Sequence, residues 1–341
     1  MYIFYIIMGI RDQADFQYVL SIPYVSIKID MLGDILHFWT CYVHFEALPR
    51  YNYNITKIVI VKIHLINTAI IPVAGLGTRM LPFTKEEPKA MLPLFAGNTI
   101  KPTVQIIFEQ LYAANIRKFV FIVDKGKRII EDHFTPDYTF LDSLKSKGKN
   151  RYIVELFEFY KKIEASSVVW INQSRPMGLG HSILLARACV KNDQFLVHAG
   201  DTILTAPHII KRMLQECNNY PDKNASCICV RKIDDKRLLR RYGVANVNAK
   251  SHVTKLVEKP AYPKSNFAVI PIYVLGQSIF DRIKISPHGK SNEVQLTNAI
   301  NNLIKSKQTV LAYLLKEDVQ RIDVGSPDTY FDALSSWINI V

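Results

Sequence analysis

From Thr68 onward, short runs of consecutive apolar residues alternate with longer stretches whose apolar positions recur every three or four residues. The first rhythm suits strands buried on both faces and the second suits helices with one apolar side. Together they predict βαβ units and a Rossmann-like, mostly parallel sheet flanked by helices. Predicted strands lie at residues 69–74, 119–123, 167–171 and 194–198, with helices at 104–115 and 181–190. Farther on, apolar runs at 227–230, 243–247, 253–257 and 268–274 leave no room for full helices between them, which predicts antiparallel strands and hairpins. The expected fold class is therefore an α/β core with a β-rich addition. Residues 143–150, rich in Lys and Ser, read as a solvated loop or helix end, because no aromatic residues are interleaved with the charges.

Residues 1–66 do not share this rhythm; they carry irregular aromatic and β-branched clusters and no motif. The expected organisation is an N-terminal extension of unassigned role at 1–66 and one motif-bearing unit at 67–341. A start codon placed too far upstream, with Val61 or a neighbour as the true start, is a competing account of the extension. The apolar opening run at residues 1–10 is shorter than the roughly 18 residues a membrane span needs and has no basic segment before it, so it reads as neither signal peptide nor anchor.

Composition narrows the partners without choosing one. The 341 residues are 49% hydrophobic and 21% charged, ordinary for a globular chain with a sizeable core. Forty-three Lys and Arg against thirty Asp and Glu give a formal charge of +13, which favours anionic partners such as nucleic acid, anionic lipid or phosphorylated metabolites. The five cysteines (Cys41, Cys189, Cys217, Cys227, Cys229) are an odd number, and Cys227-Ile-Cys229 is too closely spaced for a CxxC redox or zinc pair. Free thiols in a reducing cytoplasm are expected.

Candidate chemistry begins just after the first predicted strand, at Gly75-Leu-Gly-Thr-Arg79. Glycines at the end of a strand let a ligand approach the backbone closely, and free amides there can cradle phosphate oxygens. No Gly-Lys-Ser/Thr closes the segment, and Met80 stands where a dinucleotide fingerprint needs a third glycine, so the two common phosphate motifs do not apply. A glycine pair by itself is more often a tight turn than a ligand loop. Arg79, Lys85 and Lys89 follow within a dozen residues and supply the cations a triphosphate requires. Asp201 and Asp323 each stand at the carboxyl end of an apolar run, where α/β proteins place their sites; either one alone is more often a turn or cap residue.

The segment from Gly75 to Lys89, read as Gly-x-Gly-Thr-Arg-x-Leu-Pro-x-Thr-Lys-x-x-Pro-Lys, resembles the signature of the sugar nucleotidyltransferases, in particular the bacterial-type uridylyltransferases acting on glucose 1-phosphate. Lys127-Arg-Ile-Ile-Glu-Asp-His-Phe134, Gly178-Leu-Gly-His181, Val257-Glu-Lys-Pro260, Glu293-Val-Gln-Leu-Thr297 and Asp323-Val-Gly325 continue the resemblance in order across roughly residues 67–341. The resemblance implies the nucleotide-diphospho-sugar transferase fold, with the β-rich part binding sugar. It implies transfer of UMP from UTP to glucose 1-phosphate by direct in-line attack on the α-phosphate, with Mg2+ as cofactor. Arg79, Lys89 and Lys259 take catalytic roles on this reading, and Ala74, Gly75, Gly77, Thr78, Gln173 and Gly178 bind the nucleotide. Gly243, Glu258, Lys259 and Thr297 bind the sugar phosphate, and Asp201 and Asp323 hold the metal. A homo-oligomer, dimer or tetramer, is implied, and neither nucleic acid nor membrane is an expected partner.

Two departures from the family pattern bear on specificity. Ala90 stands in Pro88-Lys-Ala-Met-Leu-Pro93 where the family commonly has glutamate, and Pro271 stands where it usually has glycine. Transfer from dTTP, or to another sugar 1-phosphate, is thus an alternative. From a different class, a catalytically silent sugar-nucleotide-binding regulatory subunit is another.

Overall fold

The run Thr68–Pro72 (β1) has no polar face: Ala69, Ile70 and Ile71 are fully buried, with Ile70 packed into one apolar cluster and its two neighbours into another. A strand of this kind belongs in the middle of a sheet covered on both sides. After the short hairpin β2 (Pro93–Ala96) and β3 (Thr99–Pro102), the chain alternates helices and strands. These are α1 (Thr103–Ala113), β4 (Lys118–Asp124), α2 (Ile129–His133), α3 (Tyr138–Ser146), α4 (Asn150–Glu164), β5 (Ser167–Gln173), α5 (Leu179–Leu185) and β6 (Phe195–His198). β1 pairs in parallel with β4 on one side and β6 on the other, and β4 pairs in parallel with β5. The computed structural model describes residues 66–124, 126, 128–190, 194–286 and 293–337, together with three antiparallel strands at Tyr18–Ile22, Val25–Leu32 and Thr40–Ala47.

The chain divides into two units, Met1–Leu65 and Ile66–Val341. The three N-terminal strands belong to the first; the opening run at 1–10 and Val61 lie outside the described residues, as does Lys127. In the second unit the predicted strands at 69–74, 119–123, 167–171 and 194–198 are all present. Residues 143–146 form the end of α3, and the fifteen-residue helix α4 that follows was not marked by the sequence reading.

The second half adds β7 (Thr202–Leu204), α6 (His208–Asn219), β8 (Ser226–Lys232), α7 (Lys236–Leu239), β9 (Gly243–Val247), β10 (Val253–Glu258), β11 (Phe267–Leu275), α8 (Ser278–Lys284), α9 (Leu296–Lys305), β12 (Val310–Leu314), β13 (Arg321–Asp323) and α10 (Pro327–Trp337). As expected, β9 pairs antiparallel with β10 and β11, and β11 pairs antiparallel with β6 and β8. Among the described residues the main sheet has nine strands. Pro271 sits inside β11 without breaking it. The β8 register shifts between Ile228 and Val230 opposite this stretch, and β9 has ended before β6 begins on the other edge, so no ladder partner awaits the missing N–H.

The Glu-Asp-His-Phe stretch of α2 serves packing. Phe134 is buried among Phe108, Phe121, Phe159 and Trp170. His133 Nε2 lies 3.0 Å from Gln105 Oε1, and burial pushes its pKa down to about 4 despite the opposing charge of Glu109. His198, fully buried at the end of β6, is likewise pushed down by burial to about 4. Both histidines titrate near 6.5 once unfolded, so below that pH the unfolded chain binds more protons and stability falls until about pH 4, by up to about 3 kcal/mol for each. The urea midpoint is expected to decline across this window, and His133→Gln to flatten the decline; a midpoint constant from pH 6.5 to 4 would contradict it. Cys217, Cys227 and Cys229 are free and buried, and Cys189 is free and half-buried. No helix among the described residues is long and apolar enough to cross a membrane.

Candidate active site

At the carboxyl end of β1 the chain leaves the sheet through Ala74-Gly75-Leu76-Gly77 and tightens into single turns at Thr78–Met80, Phe83–Lys85 and Lys89–Met91. Gly77 has φ of +63°, and a Cβ there would fall 2.8 Å from Thr84 Cγ2, so only glycine lets the loop fold back under itself. Thr84 Oγ1 donates to Gly77 O at 2.8 Å and pins that fold. Ala74, Gly75, Gly77 and Thr78 line a cleft of about 410 Å³, with Arg79, Lys89, Gln173, Gly178 and Asp201 on its other walls. Nine of the expected site residues thus share one cavity. Lys85 points to solvent and pairs with Glu86 at 3.2 Å. Ala90 is buried in the core and does not line the cleft.

A second wall of the cleft is built by the connection from β5 to α5. Gly178 has φ of +89°, and a Cβ there would lie 2.9 Å from Glu293 Cβ and 3.0 Å from Val294 O. The backbone closes against that segment through Val294 N to Met177 O and Gly180 N to Val294 O, each 2.8 Å. Gly178→Ala is expected to combine backbone strain with overlap, cost about 1–3 kcal/mol of stability and weaken nucleotide binding. Unchanged unfolding and unchanged triphosphate affinity in that variant would show that the segment yields easily.

The two candidate metal carboxylates come from different ends of the sequence. β7 and β13 form an antiparallel ribbon that pairs Thr202 with Asp323, and Val324 N donates to Asp201 O at 3.1 Å. A Cβ on Gly325 would lie 2.7 Å from Asp323 Oδ1, 3.0 Å from Arg79 Nη2 and 3.6 Å from Asp201 Oδ2, which locates all three groups around one point. Each carboxylate is held by a cation of the chain: Lys89 Nζ bonds Asp201 Oδ2, and Arg321 Nη2 bonds Asp323 Oδ2. Gly325 N donates to Asp323 Oδ1 at 2.6 Å. Burial alone would raise the Asp201 pKa, but Lys89, Arg321 and Arg79 more than offset it and hold the carboxyl below its ordinary value.

The residues expected to bind the sugar phosphate form a second group outside the lining of that cleft. Gly243 faces Glu258 across the β9–β10 ladder, and Thr297 Oγ1, from the first turn of α9, donates to Glu258 Oε2 at 2.8 Å. Lys259 is exposed, with φ of +41°, and its N–H donates to Tyr242 O at 3.1 Å.

Arg321, which the sequence reading passed over, links the two groups. Its Nη1 donates to Tyr242 Oη at 3.1 Å while Nη2 holds Asp323. The available signal was its position two residues before Asp323, a spacing that puts both side chains on one face of a strand.

Known proteins similar to this chain fall in one family. A family described as Nucleotidyl transferase matches residues 68–339. A Streptococcus pyogenes protein, UTP–glucose-1-phosphate uridylyltransferase, is 37% identical over 272 residues, covering 76% of this chain and 84% of that protein. Among solved structures, a UDP-glucose pyrophosphorylase complexed with UDP-glucose has a TM-score of 0.68 and 29% identity, covering 81% of this chain and 99% of the other. A UTP-bound UGPase from Acinetobacter baumannii has a TM-score of 0.70 and 29% identity, covering 80% of this chain and 93% of the other.

Proposed function

As the chain belongs to the nucleotidyl transferase family, we propose that it transfers the UMP moiety of UTP to glucose 1-phosphate, giving UDP-glucose and pyrophosphate. The observation that carries the proposal is the convergence of Arg79, Asp201 and Asp323 around Gly325, at the mouth of the glycine-rich cleft. A phosphate oxygen of glucose 1-phosphate attacks the α-phosphorus of UTP, the bond from that phosphorus to the bridging oxygen breaks, and pyrophosphate leaves in line. No protein nucleophile is required.

The chain's residues align the reactants and offset charge. The Gly75–Thr78 backbone receives the triphosphate, while Arg79 and Lys89 face its developing negative charge. Glu258, held by Thr297, accepts from sugar hydroxyls beside Gly243, and Lys259 pairs with the sugar phosphate. Asp323, paired with Thr202 in the ribbon, and Asp201, the residue just before Thr202, offer oxygen donors alone, which suits Mg2+; when bound it would supply further positive charge beside the phosphates. Gln173 and Gly178 read the uracil edge. The assembly is a homo-oligomer, dimer or tetramer, measurable by light scattering, and its location is cytoplasmic.

The test is pyrophosphate release from UTP and dTTP with several sugar 1-phosphates, with and without Mg2+. The fastest release is expected with UTP, glucose 1-phosphate and Mg2+. A dTTP preference would favour the thymidylyl alternative, which has less support because the relatives named above are uridylyltransferases or UDP-glucose pyrophosphorylases. Binding without any release would favour the silent regulatory subunit.

A further inference from the structure

Gln173 ends β5 and lines the nucleotide cleft, yet only 3% of it is exposed. A primary amide has two N–H donors and two carbonyl lone pairs. Half of this capacity is used inside the protein: Nε2 lies 2.8 Å from His181 Nδ1, and Ser182 Oγ donates to Oε1 at 3.2 Å. Both partners sit in the first turn of α5, whose Gly180 N is bonded to Val294 O at 2.8 Å. One N–H and one lone pair of the amide are left for a ligand.

The three side chains have two closed hydrogen-bond patterns. In the arrangement of this structure, His181 carries its proton on Nε2 and accepts at Nδ1, and Ser182 donates to Oε1. In the other pattern the amide is turned over. His181 would then donate from Nδ1 to Gln173 Oε1, Gln173 Nε2 would donate to Ser182 Oγ, and Ser182 Oγ would donate to Gly178 O, which lies 3.3 Å away. The patterns differ in which corner of the amide carries the spare donor.

That difference is the one that separates two pyrimidines. Uracil presents an acceptor at O4 and a donor at N3–H, whereas cytosine presents a donor at N4 and an acceptor at N3 in the same places. An unrestrained glutamine could turn over and read either base. One whose orientation is held leaves the wrong base with donors facing donors in a buried pocket, and such unpaired groups are strongly rejected.

We infer that His181 and Ser182 are specificity-determining residues: with the His181 proton on Nε2 they hold the Gln173 amide in the orientation reading uracil, so that the pair, and not Gln173 alone, separates UTP from CTP. This rests on the reading of Gln173 as the base-recognising group of a UTP-using enzyme.

The experiment compares kcat/KM for UTP and CTP in the wild type, His181→Leu, His181→Asp, Ser182→Ala and the His181→Leu/Ser182→Ala double variant. Asp places an oxygen where Nδ1 lies and can only accept, so it keeps the orientation while its charge raises KM for both triphosphates. His181→Leu is expected to lower the UTP to CTP ratio by about 10- to 100-fold. Ser182→Ala should lower it less, and His181→Asp should retain it. Shifts in the unfolding midpoint on adding UTP or CTP report the same preference for a variant that binds without turning over, and its unliganded midpoint reports folding. A wild-type ratio in the double variant, or equal relaxation in the Asp and Leu variants, would overturn the inference. Absence of UTP turnover in the wild type would instead count against the proposed reaction; equal midpoint shifts with UTP and CTP in the wild type would overturn the inference separately.

Discussion

Arg79→Ala is expected to lower kcat/KM for pyrophosphate release by about 10²–10³, the usual cost of removing one group that meets developing charge. The Arg79 guanidinium lies beside Gly325, around which the carboxylates of Asp201 and Asp323 also gather, in the loop that lines the cleft. It makes no hydrogen bond or ion pair that stabilises the fold among the described residues, so the unfolding midpoint should change little while turnover collapses. Arg79→Lys keeps the charge but loses the planar fork, and an intermediate rate is expected. Steady-state kinetics beside urea unfolding on the same samples check this; near-normal turnover in Arg79→Ala would remove the residue from the mechanism.

The second large effect concerns Arg321, and it should register in stability as well as rate. Its side chain is 13% exposed and bonds Asp323 and Tyr242 together. Arg321→Met leaves a largely buried carboxylate with the Gly325 N–H as its remaining hydrogen-bond partner among the described residues, and an expected loss of about 3 kcal/mol follows from stranding such a charge. The double variant Arg321→Met/Asp323→Leu should recover part of that loss, because neither charge then remains. Urea unfolding of the two variants checks the pair: equal destabilisation in both would mean that the bond to Tyr242, and not the ion pair, carries the effect.

Much of the fold was legible because a buried parallel strand leaves an unmistakable trace. Ala69-Ile-Ile71, Phe119-Val-Phe-Ile-Val123 and Phe195-Leu-Val197 have no polar position, since layers cover both faces, and each became a strand of the main sheet. The fifteen-residue helix Asn150–Glu164 was missed for the opposite reason. It is amphipathic, with Tyr152, Val154 and Phe157 exposed, so its apolar residues do not fall on a single clean stripe. The Lys- and Ser-rich stretch before it hid its start.

For the site, the order of the motifs was enough to gather the loop from Ala74 to Thr78, Arg79, Lys89, Gln173, Gly178 and Asp201 as candidates, because each is local to the end of a strand or the start of a helix. Position in the sequence says nothing of what a side chain bonds across the sheet. That Lys89 rests on Asp201, that Arg321 spans Asp323 and Tyr242, and that His181 and Ser182 occupy half of the Gln173 amide are all contacts made across space. The sequence by itself determined the layers and the cast of charged and glycine residues, because burial and close backbone approach constrain residue type at each position. Only the tertiary structure decided which charge answers which and which way an amide faces. Those depend on distances of a few ångströms that separation along the chain does not give, whether the partners stand 8 positions apart, as Gln173 and His181 do, or 112, as Lys89 and Asp201 do.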